Sequence, residues 1–215
     1  MFRYYDIHTH KKPANLDVMV IMSVDAENPV MPEYEYCSVG IHPRLADIAG
    51  LLALETMAKH PNVVAIGETG LDKLTSTSLE KQQEVFIAHI ELAEKFQKPL
   101  IIHCVKAWPE LIHIHKRFKS DVPCIIHGFR GNGELACQLL RLGFYLSFGL
   151  HFNPEALRAA WNAHRLYTET DDANINIAAI YQHITSQLSI TDEALSREIS
   201  ANINAWPILP KGMID

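Results

Sequence analysis

The sequence predicts an α/β fold, a (β/α)8 TIM-type barrel shortened by the absence of its first one or two outer helices. Three observations lead there. Eight short β-rich segments recur along the chain, helical patterns separate most of them, and 215 residues lie near the bottom of that barrel's usual range. An open α/β sheet is the rival architecture. With 48% hydrophobic and 20% charged residues the chain is neither disordered nor collagenous. No run of about 18 apolar residues occurs, and Met1 to Asp6 lacks the apolar stretch of a signal peptide. The expectation is a cytoplasmic protein without a membrane segment.

The segments follow in order: Phe2-Ile7, Val18-Val24, Cys37-His42, Val63-Glu68, Pro99-His103, Pro123-His127, Phe144-Phe148 and Arg165-Thr170. Several are almost continuously apolar, as parallel strands buried on both faces are. Lys11 to Asp17 is too short for a crossover helix between the first two strands. Asp25 to Tyr36 holds Pro29 and Pro32, so the second connection is read as irregular. From Glu80 to Phe96, Val85, Ala88, Leu92 and Phe96 mark one helical stripe, opened by a capping box of Thr77 and Glu80. Gly133 to Leu142 is a helix stopped by Gly143, and Asn153-Pro154 starts another that runs to about Ala163. Two more cover Ile175-Leu188 and Thr191-Ala205. No repeat or linker interrupts the chain, so residues 1–215 are read as one domain. Cys37, Cys104, Cys124 and Cys137 match neither a disulfide framework nor a zinc motif and are read as buried thiols.

The chain has 12 histidines, and several stand where a barrel builds its site, at the C-terminal ends of strands. The first strand ends Asp6-Ile7-His8-Thr9-His10. Residues two apart on a strand share a face, so His8 and His10 can grip one ion, with Asp6 orienting a ring through its other nitrogen. The fourth strand ends in Glu68, the fifth in His103, the sixth in His127, and the eighth runs into Asp171. A carboxylate directly after Val63-Val64-Ala65-Ile66-Gly67 is costly to bury without a partner. Six ligands therefore converge: His8, His10, Glu68, His103, His127 and Asp171. Nitrogen with carboxylate oxygen suits a divalent ion, with zinc, manganese, magnesium and nickel all compatible.

The motifs in which these residues stand resemble the TatD family of metal-dependent hydrolases, in the amidohydrolase superfamily, many of them deoxyribonucleases. They are Asp6-Ile7-His8-Thr9-His10, Gly40-Ile41-His42-Pro43, Ala65-Ile66-Gly67-Glu68-Thr69-Gly70-Leu71-Asp72, Pro99-Leu100-Ile101-Ile102-His103, His127-Gly128-Phe129-Arg130-Gly131, Gly143 to Gly149, and Glu169-Thr170-Asp171. The resemblance implies a TIM-type barrel with one or two divalent metal ions. His8 and His10 match the first-strand ligands, Glu68 the metal-bridging carboxylate, His103 and His127 the later histidine ligands, and Asp171 the last-strand aspartate. The chain also departs from the family's pattern. His42-Pro43-Arg44 stands where His-Pro-His is usual, Val105 and Lys106 stand where an arginine follows, and the loop after Asp171 is short.

Metal-assisted hydrolysis of a phosphodiester, including single-stranded DNA ends, is the expected chemistry. Glu68 and Asp171 are the expected catalytic carboxylates, Asp171 taking the proton of the attacking water. His42, Arg44, Lys106 and Arg130 follow strand ends and are expected to hold substrate. Two alternatives stand beside this reading: an amidohydrolase-type enzyme on a small non-phosphate substrate, and a non-catalytic barrel serving as an interaction module. The net charge of −6 argues against coating nucleic acid by bulk charge. A monomer is the default. Trp108 is read as the packing residue of a helix at Pro109, with base stacking as its alternative role. Tyr145 is read toward either the barrel mouth or the helical layer. His60, His89, His113, His115, His151, His164 and His183 are read as surface residues.

Overall fold

The computed structural model describes residues 2–11, 18–26, 36–209 and 213. All eight expected strands are present: β1 (Tyr4–Thr9), β2 (Val18–Asp25), β3 (Cys37–Gly40), β4 (Val63–Asp72), β5 (Leu100–Val105), β6 (Cys124–Ile126), β7 (Tyr145–Phe148) and β8 (Leu166–Thr168). Sheet order is chain order, β1 through β8. The last strand returns to the first, since Thr9 bridges Asp171 in parallel. That is the strand order of a (β/α)8 barrel. The two connections expected to lack helices fall mostly on residues 12–17 and 27–35, outside the described residues.

Two compact units divide the chain: residues 1–22 with 126–215, and residues 23–125. In the first unit, β1 pairs with β2 through Tyr4↔Val18 and Tyr5↔Met19, and β7 pairs with β8 through Leu146↔Leu166 and Ser147↔Tyr167. The helices are α4 (Gly133–Arg141), α5 (Pro154–Asn162), α6 (Ile177–Leu188) and α7 (Asp192–Asn204). Each begins on a side chain that accepts an orphan backbone N–H: Asn132, Asn153, Asn176 and Thr191. The buried Tyr167 hydroxyl accepts from the Trp206 indole N–H at 2.8 Å, just beyond α7. Tyr145 packs on Tyr167 with ring centroids 5.5 Å apart, under the Arg165 guanidinium. Its ring therefore belongs to the helical layer.

In the second unit the helices are α1 (Leu51–Ala58), α2 (Leu79–Phe96) and α3 (Trp108–Phe118). The sequence pattern does not foresee α1. Leu52 is exposed while Leu54, Met57 and Ala58 are buried, so leucines on both faces blur the stripe. Helix α2 is capped by Ser78, whose side chain accepts from Lys81 N–H, and not by the expected Thr77. The Thr77 hydroxyl donates instead to the Arg44 carbonyl, which takes it out of the capping role. His89, expected at the surface, is fully buried on α2. Its Nε2 accepts from Ile41 N–H at 3.0 Å and its Nδ1 lies 2.7 Å from Val85 O. Both ring nitrogens are satisfied, so the histidine serves as a core hydrogen-bonding residue. Burial lowers its pKa to about 4. Trp108, half-buried, opens α3 with Pro109 behind it, while Leu111 and Ile114 are the buried residues of that helix.

Strands β4 and β5 approach very closely. Gly70 has φ of 141° and pairs with His103; Gly67 has φ of 135°. A side chain at Gly70 would run into the His103 carbonyl, and one at Gly67 into the Ile101 carbonyl. Only glycine fits either position. Of the cysteines expected to be buried, Cys37 and Cys124 are, but Cys104 is half-buried and Cys137 exposed, because α4 turns Cys137 outward. Among the described residues, no helix is long and apolar enough to cross a membrane.

Candidate functional site

In the first unit the ends of β1 and β8 are joined by their backbones. Asp171 N–H donates to His8 O at 2.9 Å, and His10 N–H to Asp171 O at 3.4 Å. Asp171 takes a positive φ of 52°, which aspartate tolerates better than most residues. Its Oδ1 consequently stands 3.7 Å from His8 Nε2 and 3.7 Å from His10 Nε2. His8 is fully buried, His10 is exposed, and the Asp171 side chain is 31% exposed, open to a water. Two ligands about 2 Å from one ion stand at most about 4 Å apart, so these gaps fit a shared ion.

His127 comes from the end of β6. Its ring centroid is 4.3 Å from that of His8. Its Nδ1 lies 3.3 Å from Oε1 of Glu169, a carboxylate with no exposure at all. Burial alone would raise the Glu169 pKa, but the His127 and His8 rings outweigh it and hold the group below its ordinary value. His8, His10 and Asp171 form one set of donors able to hold a metal, and His127, Glu169 and Asp171 another.

Asp6 does not orient a ligand ring as expected. Its carboxylate accepts from Thr170 N–H at 3.0 Å and from the Thr170 hydroxyl at 2.6 Å, so it ties the end of β8 to β1. Burial raises its pKa to about 7 against these hydrogen bonds.

The second unit holds its own set: His42, Glu68 and His103. Glu68 Oε1 lies 2.8 Å from His103 Nδ1 and 3.4 Å from His42 Nε2. The two rings meet edge-on at 4.7 Å. On the other side of His103, Nε2 is 3.6 Å from Asp72 Oδ2. Beyond His42, a short 3-10 turn (Pro43–Leu45) is capped by the imidazole itself, whose Nδ1 accepts from Arg44 N–H at 3.1 Å. Oxygen and imidazole donors of this kind suit a borderline divalent ion, and the two units offer three-ligand sets of the same chemistry.

Within the units, the expected ligands come together as His8, His10, His127 and Asp171 in the first and as Glu68 and His103 in the second. Arg44, Lys106 and Arg130 are exposed, and among the described residues none of their cationic groups is held in an ion pair. Sequence reasoning passed over Glu169, Asp72 and Lys11. Glu169 was legible as a carboxylate directly following the buried Leu166-Tyr167-Thr168. Lys11, one residue past His10, donates its ammonium to Asp172 O at 2.7 Å.

Residues 14–205 match the model of the family described as "TatD related DNase". A metal-dependent hydrolase of Escherichia coli K12, YcfH, is 38% identical over 143 residues, covering 62% of this chain and 54% of its own length. A protein of a Rahnella species described as "3'-5' ssDNA/RNA exonuclease TatD" is 32% identical over 155 residues, covering 65% and 56%. The chain thus spans about half the length of the curated relatives it matches. The crystal structure of YjjV, a TatD homologue of Escherichia coli K12, superposes with a TM-score of 0.77 at 20% identity, over 97% of this chain and 99% of that one. At that identity the likeness shows the fold, the (β/α)8 barrel.

Proposed function

Because the chain belongs to the TatD related DNase family, we propose that it is a metal-dependent hydrolase of phosphoester bonds, acting on phosphodiesters and on single-stranded nucleic-acid ends. The observation that carries this reading is the pair of histidine–carboxylate sets, His8, His10 and Asp171 in one unit and Glu68 and His103 in the other. A relative described as an exonuclease on single-stranded DNA and RNA supports the substrate class.

In this reading His8, His10, His127 and Asp171 hold metal in the first unit, and Glu68 and His103 in the second, for one or two ions in all. Zinc, manganese, magnesium and nickel suit these donors. A bound dication supplies a water of lowered pKa and offsets charge on the phosphoryl oxygen. Asp171 is the proton acceptor, since it is the partly exposed carboxylate of its set. Glu169, wholly buried behind His127, is left to orient that ring. Arg44, Lys106 and Arg130 are the phosphate contacts, with their heads open to solvent. His42 donates from Nε2 toward substrate or Glu68.

The test is hydrolysis of bis(p-nitrophenyl) phosphate beside an end-labelled single-stranded oligonucleotide. The protein is first treated with chelator and then given manganese, magnesium or zinc, with Glu68→Ala as control. Metal-restored cleavage that the control lacks is expected. Absence of turnover with every ion, in protein that binds them, would overturn the phosphoesterase reading.

A further inference from the structure

We propose that the groove between α4 and α5 binds an amphipathic monoanion, a medium-chain alkyl carboxylate such as decanoate, with its head at Arg141 and Arg158 and its chain laid along the groove. The site lies wholly within the first unit, in the helical layer, and is independent of the hydrolase reading above. The two helices have nine residues each, so each is about 13 Å long, and they pack side by side. Between them lies an open groove of about 630 Å³. That volume falls in the range of small-molecule sites, about 300–1,000 Å³.

The groove exists because the helices bring short side chains to it. Cys137 of α4 and Ala159 of α5 line it, and Leu140 and Pro154 add apolar surface. A run of methylenes laid on this lining leaves water along its length, which is the source of affinity for the alkyl chain. Charge gives the groove a direction. Glu155 stands in the first turn of α5, and a side chain on Gly133, the first residue of α4, would meet its Oε2 at 3.0 Å. The negative end is therefore where both helices begin.

Each helix returns between parallel strands of one barrel, so the two run the same way. Arg141 and Asn162 close them at the other end, and Arg158 stands between that end and Glu155. Both arginines are exposed, and among the described residues neither is held in an ion pair. Their two full charges outweigh the roughly half-charge that each helix C-terminus carries. The result is a local cationic site on a chain of net charge −6. An arginine fork donates two N–H bonds to one carboxylate. A folded partner fits less well, because a stable protein interface needs about 800 Å² on each side, more than so short a groove provides.

The test titrates the whole protein with decanoate, below its micelle concentration, and follows alkylation of Cys137 by iodoacetamide using mass spectrometry. Cys137 is exposed, whereas Cys37 and Cys124 are buried and Cys104 half-buried, so its reaction reports on this groove. Decanoate is expected to slow the alkylation, and neutral decanol to need about tenfold more for the same protection. Replacing both arginines, Arg141→Gln with Arg158→Gln, should weaken decanoate by about that factor and erase its advantage over decanol. Ala159→Met fills the groove and should abolish protection by either compound. As a second readout, decanoate should raise the melting temperature of the wild type and of neither variant. Absence of protection by decanoate, or equal protection by decanol in the wild type, would overturn the proposal. A dimer seen by sedimentation velocity and dissolved by Ala159→Met would overturn it too, by making a second copy of the chain the occupant.

Discussion

The two units place a carboxylate among histidines by different means. In residues 1–22 with 126–215, backbone pairing does it: Asp171 N–H on His8 O, and Thr170 held by Asp6, carry the Asp171 side chain to His8 and His10. In residues 23–125 the means are steric and lateral. Gly67 and Gly70 let β4 lie against β5, and Gln82 fixes the loop beyond. A backbone-zipped carboxylate should tolerate changes in its surroundings. One that depends on missing side chains should fail at the glycines.

The largest effects should come from the carboxylates themselves. Asp171→Asn and Glu68→Ala are each expected to lower phosphodiester turnover about 10²–10⁴-fold, read from initial rates at saturating manganese. Equal losses would make the two sets jointly necessary. A loss confined to one variant would show which unit holds the working ion.

Next come the glycines. Gly70→Ala combines a positive φ with a clash against the His103 carbonyl and should destabilise by about 3 kcal/mol or more. Gly143→Ala, at φ of 95° with nothing within 4 Å of the added carbon, meets only the conformational strain and should cost about 1 kcal/mol. Urea denaturation measures both. Equal costs would deny that the closeness of β4 and β5 is what demands glycine.

His89 gives the second unit a pH dependence. Its folded pKa is lowered to about 4 from 6.5, so between those values the unfolded chain holds a proton that the folded chain does not. Stability therefore rises with pH across that window. It is fully present above about 6.5 and is lost by about 3 kcal/mol as pH falls to about 4. Urea midpoints at pH 4.5 and 7.5 should differ more for wild type than for His89→Gln.

The smallest effect compares two helix starts. Asn153 accepts from Glu155 and Ala156 N–H at 2.9 and 3.0 Å, whereas Ser78 holds only Lys81 N–H at 3.4 Å. Asn153→Ala should cost about 1 kcal/mol and Ser78→Ala about half that, by thermal or urea denaturation.

Much of this molecule can be read along the chain. Apolar runs such as Val63-Val64-Ala65-Ile66 mark buried strands because they are short, rich in β-branched residues and followed by glycine. Asn153-Pro154 marks a helix start because proline at the first turn gives up no hydrogen bond. His8, Glu68, His103, His127 and Asp171 are legible because a barrel gathers its chemistry at strand ends. Other features are invisible at that level. His89 looks like any helical histidine until the fold buries it. Thr77 is the expected cap until Arg44 O claims its hydroxyl and Ser78 takes the role.

The sequence by itself determined the parallel strand order and which histidines and carboxylates stand at the ends of strands, since periodicity and residue chemistry are local properties. Only the tertiary structure decided which nitrogen of His103 faces Glu68, that Asp6 binds Thr170, and that Glu169 stands behind His127. Those choices depend on side chains from strands and loops far apart in sequence. Their hydrogen-bond partners exist only once the backbones have paired.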